Sequence, residues 1–247
     1  MGIVPHRDWD FEDPLVVVGF PSQGLVGAIV ASYLVPRLDM QLVASMDAPY
    51  FPPVASVREG RAISPVQFFA SAQQCGIDGE CSQLVVVRSD AEPPPDALDD
   101  VAQDLLQWCR DIGAERVVTL EGAPMGDGED RIFAVPNLAC EVDHEKLGSE
   151  VFPDGALSGL SASLLVEGNA QDLGVICLFT GVLEDMPDAS AAARLVEVLD
   201  VLVPGIKMDA KPLEEQAQRF EEQLRASVDE ARRAEHRSEP DNKIMYG

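Results

Sequence analysis

Lysine is scarce in this chain of 247 residues: only Lys146, Lys207, Lys211 and Lys243 occur, against 43 aspartates and glutamates. The resulting formal charge of −25 excludes a broad nucleic-acid footprint, because phosphates would be repelled rather than neutralised. Long apolar runs are missing as well, and no stretch approaches the roughly 18 residues that a bilayer-spanning helix needs. The N-terminal residues include Pro5, Asp8, Asp10, Glu12 and Asp13 and lack the basic start of a signal peptide, so a cytoplasmic protein is expected. Histidine is limited to the scattered His6, His144 and His236. The five cysteines, Cys75, Cys81, Cys109, Cys140 and Cys177, show no CxxC pairing and no neighbouring histidine of the kind a zinc site uses. Buried thiols in a reducing compartment are the favoured reading. Cys75 and Cys81 are close enough to pair within a loop, but cytosolic disulfides are rare. GxSxG, HExxH and a Cys/His nucleophile pair are all absent. No catalytic residue, metal or cofactor is therefore expected, and an enzyme is the less favoured class.

The acids are spread along the whole chain. From Lys211 onward there are seven basic and nine acidic residues, which leaves −23 on residues 1–210. Such a surface fits a protein adapted to high salt, where screening relieves self-repulsion, and it also fits an ordinary acidic microbial protein.

The apolar pattern alternates between two kinds of segment. Leu15–Phe20 reads as a buried strand that runs into a turn at Pro21 and Gly24. Leu25, Val26, Ile29, Val30, Tyr33 and Leu34 then fall at helical spacing, with Pro36 expected to close the helix. Further strands are expected at Gln41–Met46, Leu84–Val87, Val117–Leu120, Arg131–Val135 and Val175–Thr180, with extended segments near Val54–Val57 and Ile63–Phe69. Helices are expected around Leu98–Trp108, capped by Gly113, and at Leu157–Val166 and Ala189–Val203. Strands alternating with helices predict a three-layer α/β/α sandwich on a mostly parallel or mixed central sheet. Leu213, Ala217, Phe220, Leu224, Val228 and Ala231 add an a/d-like stripe on a C-terminal helix of about 25 residues. A polar, flexible tail follows.

Two features invite a ligand. Gly19-Phe20-Pro21-Ser22-Gln23-Gly24-Leu25-Val26-Gly27 joins a strand to a helix, where backbone N–H groups can hold an anion. It lacks the Lys-Ser/Thr of a P-loop and the spacing of GxGxxG, so tight packing by its glycines is the favoured reading. Gly155 and Gly159 make a second such stretch, with Ser158 and Ser161, and Glu121–Pro124 sits at a strand's C-terminal end. Asp127, Glu129 and Asp130 read as a solvated loop rather than a metal cage. The second feature is Met245-Tyr246-Gly247, which offers an apolar anchor, a ring with a hydroxyl and a carboxylate within one short segment. Chance would produce it in about half a percent of chains of this composition.

Gly19-Phe20-Pro21-x-x-Gly24-Leu25-Val26-Gly27, followed by Tyr33-Leu34, resembles the PAC2-type proteasome assembly chaperones and their archaeal homologues. So do Gly155-Ala-Leu-Ser-Gly159-Leu, Phe179-Thr180-Gly181 and Pro187-Asp188-Ala189-x-x-Ala192-Ala193, in that order along roughly residues 10–230. The resemblance implies a PAC2-like domain over 1–210 and a helix over 211–233 that packs on the body or on a neighbouring subunit. It also implies a flexible tail over 234–247 and a homo-oligomer that binds 20S proteasome α subunits. Met245, Tyr246 and Gly247 would then be inserted between α subunits, with a pocket lysine receiving the carboxylate. One departure is Ser22, where the family often has glycine, and it weakens any ligand role for that loop. The rival class is an α/β enzyme that takes a nucleotide or phosphate ligand at Gly19–Gly27.

Overall fold

The computed structural model of the chain describes residues 2–47, 51–58, 60–72, 74–75, 81–125, 130–182, 186–203 and 209–215. In chain order its first elements are β1 (Gly2–Pro5), β2 (Leu15–Gly19), α1 (Val26–Arg37), β3 (Gln41–Asp47), β4 (Ser56–Arg58) and β5 (Arg61–Ile63). Next come β6 (Val66–Ala70), β7 (Gln74–Cys75), β8 (Cys81–Ser82), β9 (Leu84–Ser89), α2 (Leu98–Asp111) and β10 (Arg116–Pro124). The series ends with β11 (Ile132–Pro136), α3 (His144–Leu147), β12 (Glu150–Val151), α4 (Leu160–Gln171), β13 (Val175–Val182) and α5 (Ala189–Leu202).

One nine-stranded sheet runs in the order β1-β3-β6-β9-β2-β10-β13-β11-β12. Its centre, β9-β2-β10-β13, is parallel, as the unbroken apolar runs Leu15–Val18 and Leu84–Val87 require of strands covered on both faces. The flanking pairs β1-β3, β3-β6, β6-β9 and β13-β11 are antiparallel, so the sheet is mixed. Alternate side chains divide between two cores. Val17, Val86, Val118 and Leu178 meet α1 and α5 on one face, while Val16, Val85, Val117 and Cys177 meet α2 and α4 on the other. The expected three-layer α/β/α sandwich is therefore the observed one.

Local details depart from the sequence reading. Pro36 lies inside the last turn of α1, which runs on to Arg37. The left-handed Asp39 (φ 48°) follows, and the Met40 amide still donates to the Val35 carbonyl. A proline so close to a helix end removes few hydrogen bonds, which is why it fails to stop the helix earlier. α4 begins at Leu160 rather than Leu157, because Gly159 adopts φ 77°, ψ −163° and holds the preceding residues out of the helix. β10 extends through Pro124, four residues past its apolar stretch, since β13 pairs with it along the whole length. Nothing in the sequence pattern announced β1, β12 or the short α3.

The junction of β2 with α1 fixes the site described below. A Cβ on Gly19 would stand 2.3 Å from the Gly27 carbonyl oxygen and 2.7 Å from the Ala31 Cβ. One on Gly27 would stand 2.8 Å from the Leu120 carbonyl oxygen. The helix thus presses its backbone onto β2 and β10, and only glycine permits that approach. Gly19→Ala is expected to lower unfolding stability by about 3 kcal/mol, measured by guanidinium denaturation. Stability equal to the parent's would show that the junction can relax.

Candidate functional site

The C-terminal ends of β2, β10 and β13 open into a cavity of about 750 Å³, where open α/β sheets commonly place ligands. Phe20, Leu98, Leu157, Leu160, Phe179 and Met186 give it apolar walls. The amino ends of α1, α2 and α4 border it, and none of the three carries a side-chain cap, whereas α3 and α5 are capped by Asp143 and Asp188.

Glu121 is the chemical centre of the cavity. It projects from β10 to the same side as Thr119, beside Phe179 and Cys177 of β13. Glu121 as a whole residue is half-buried, but its carboxyl sits deep in the protein. Ser161, in the first turn of α4, donates to Glu121 Oε1 at 2.5 Å, and its oxygen lies 2.6 Å from Thr119 Oγ1. Ser22 Oγ is also shut from solvent and makes no well-formed hydrogen bond, although it lies near enough to Glu121 to favour the ionised carboxyl. Burial pushes the Glu121 carboxyl above its ordinary range, and the charge of Glu92 adds to the push; Ser161 and Ser22 act against it. Burial likewise raises the neighbouring Cys177 thiol, which keeps it protonated and unreactive.

A second acid in this protein shows what Glu121 lacks. Asp90 also loses solvent, yet its carboxyl is held below the ordinary range by bonds from Ser56 and Arg88, the latter a 2.6 Å ion pair. Among the described residues lining the cavity, the charged ones are Glu92 and Glu121, with no Lys, Arg or His.

The glycines and proline singled out in the sequence separate into two groups. Pro21, Gly24 and Gly159 line the cavity, and Gly24 takes φ 64° in the turn that leads into α1. Gly19 and Gly27 serve the close packing of α1, and Gly155 lies against the Phe152 ring, where a Cβ would stand 2.3 Å from ring carbons. Asp130 pairs with Arg194 at 3.1 Å, while Asp127 and Glu129 lie outside the described residues. His6 bonds Ser45 and His144 bonds Ser149 in separate places. Among the described residues, no three potential ligands cluster to hold a metal, and no helix is long and apolar enough to cross a membrane. The stripe from Ala217 onward and the terminal Met245, Tyr246 and Gly247 lie outside the described residues. Glu92 escaped sequence reading because one acid among 43 carries no distinguishing signal, and Thr119 because it lies within an apolar strand run.

The raised Glu121 makes stability depend on pH with a definite sign. The folded chain keeps a proton that the unfolded chain releases as pH climbs past the ordinary carboxyl value of 4.5. Stability is therefore full below that pH and is lost as pH rises through the folded value. Glu121→Gln, which cannot ionise, is expected to melt at a higher temperature than the parent at about pH 8 and at nearly the same temperature at about pH 4. Scanning calorimetry across that range would detect the difference, and a gap independent of pH would contradict it.

A sequence model described as the PAC2 family matches residues 16–228. An uncharacterized protein of Methanocaldococcus jannaschii is 22% identical over 225 residues, covering 91% of this chain and 90% of the relative. The crystal structure of Pyrococcus furiosus PbaA, described as an archaeal homolog of proteasome-assembly chaperone, superposes with a TM-score of 0.78. It is 27% identical, with 100% of this chain and 99% of that chain covered. Pyrococcus furiosus PbaB, described as an archaeal proteasome activator, gives a TM-score of 0.78 at 26% identity, over 92% of this chain and 98% of its own. The α/β body thus has counterparts along nearly its whole length, and the chain belongs to the PAC2 family.

Proposed function

We propose that this chain is a proteasome assembly chaperone-like protein that works in the cytoplasm and binds 20S proteasome α subunits through Met245, Tyr246 and Gly247. The observation that carries the reading is its likeness over the full chain to PbaA, with PbaB beside it. The terminal residues supply the chemistry: Met245 as the apolar anchor, Tyr246 as ring and hydroxyl donor, and the Gly247 carboxylate for a lysine in the receiving pocket.

Three residues bury little surface and bind weakly alone. A homo-oligomer that presents several tails to a ring of repeated pockets gains affinity through effective concentration. In this reading residues 1–210 are the oligomerising body, 211–233 a helix that packs on it or on a neighbouring subunit, and 234–247 a tether carrying the plug. The acidic surface suits a salt-rich cytoplasm.

The rival reading, an enzyme that takes a nucleotide or phosphate at Gly19–Gly27, draws less support. Gly19 and Gly27 are occupied in backbone packing, and the charged side chains described around the adjoining cavity are acids.

Removing Met245–Gly247 is expected to leave the body folded and its oligomeric state unchanged while abolishing co-purification with α rings from a native lysate. Amidating Gly247 should weaken the same interaction, since it removes the charge offered to the lysine. Undiminished α-ring capture by the truncated protein would overturn the reading.

A further inference from the structure

The cavity beside Glu121 is independent of the terminal plug. Its volume of about 750 Å³ falls within the range of small-molecule sites, and its walls are more apolar than polar. Its floor is a carboxyl removed from solvent with hydroxyl partners and no described cationic neighbour in the lining. Isolated buried acids are costly, and folded proteins supply them with a counter-charge, as this one does for Asp90. At the same place Ser22 Oγ is buried without a well-formed hydrogen bond. The cavity is thus bordered by a hydroxyl with no well-formed partner among the described residues and by a carboxyl whose partners are hydroxyls alone.

We propose that this cavity binds a primary ammonium group on an apolar stem, with Glu121 as its counter-ion. An ammonium carries three donors and no acceptor. Glu121 and Glu92 offer acceptors of the matching kind around one space, with the Ser22 hydroxyl behind Glu121, and Phe20, Leu98, Leu157 and Phe179 flank the stem. A phosphate or carboxylate would enter with the same sign of charge as both acids. The stem chemistry is shared by free alkylamines and by a lysine side chain projecting from a peptide.

Calorimetric titration of the full chain with n-pentylamine, 1-pentanol, pentanoate, inorganic phosphate and Nα-acetyl-lysine amide tests the site. The amine is expected to bind while pentanol, pentanoate and phosphate do not, and Glu121→Gln is expected to weaken amine binding by at least about tenfold. Leu157→Trp, which narrows the cavity and keeps the carboxyl, should abolish binding and so gives a second readout should the Glu121 variant fold poorly. Binding of pentylamine alone assigns a free amine, and binding of the lysine derivative as well assigns a peptide side chain. Unchanged affinity in either variant, equal binding of pentanol, preference for phosphate or pentanoate, or no amine binding at millimolar concentration would overturn the proposal.

Discussion

The closeness of α1 to the sheet is the constraint on which this structure turns. Gly19, Gly27 and Gly122 each face a backbone atom at a distance that no Cβ could occupy, with the Gln23 carbonyl oxygen 2.2 Å from where one would stand on Gly122. These contacts draw the Pro21–Leu25 turn down against β10, so that Ser22 and Gly24 come to border Glu121. A side chain at any of the three would lift the turn and open the back of the cavity. Gly19 and Gly27 thus shape the site by packing, as their turn suggested, while Gly24 and Gly122 line it.

Glu121 works against stability once pH exceeds the ordinary carboxyl range, since its carboxyl has lost water and gained only hydroxyl bonds. A glutamine would satisfy Ser161 as well, without the charge. A perturbed acid of this kind in a concave, apolar site is a candidate for function, because a purely structural need would be met more stably by a neutral group. Asp90 gives the contrast within the same chain: it pins the β4-β5 hairpin through Ser56, sits beside Arg88, and keeps its carboxyl readily ionised.

The central sheet could be read from the sequence because its strands are buried on both faces. Val16, Val17 and Val18 leave no polar residue to blur the run, and Val85, Val86 and Val87 repeat the pattern one strand away. The edges were harder to read. β1 and β12 owe their extension to pairing with β3 and β11, a tertiary effect that local composition does not carry. The order of strands, with β2 central and β1 at an edge, likewise follows from crossovers that no motif encodes. At the site, Gly24, Pro21 and Gly159 were identified from their turns, and Glu121 from its place at a strand end. Its partnership with Ser161 spans 40 residues and depends on where α4 packs, so only the fold could reveal it.

The uneven charge of the chain bears on the proposed docking role of its tail. Nearly all of the net charge, −23, belongs to residues 1–210, and the stretch from Lys211 onward is close to neutral. A terminal carboxylate held against that body would sit in a field of its own sign and would compete poorly for a lysine elsewhere. The polar residues 234–243 can span up to about 33 Å when extended. That distance is roughly three Debye lengths at 0.1 M salt and more at higher salt, so an extended tail would hold the proposed plug where the body's field is largely screened. In the proposed docking role, tether length and ionic strength would act together to lessen the body's repulsion at Gly247, although salt would also weaken the pairing of its carboxylate with a lysine.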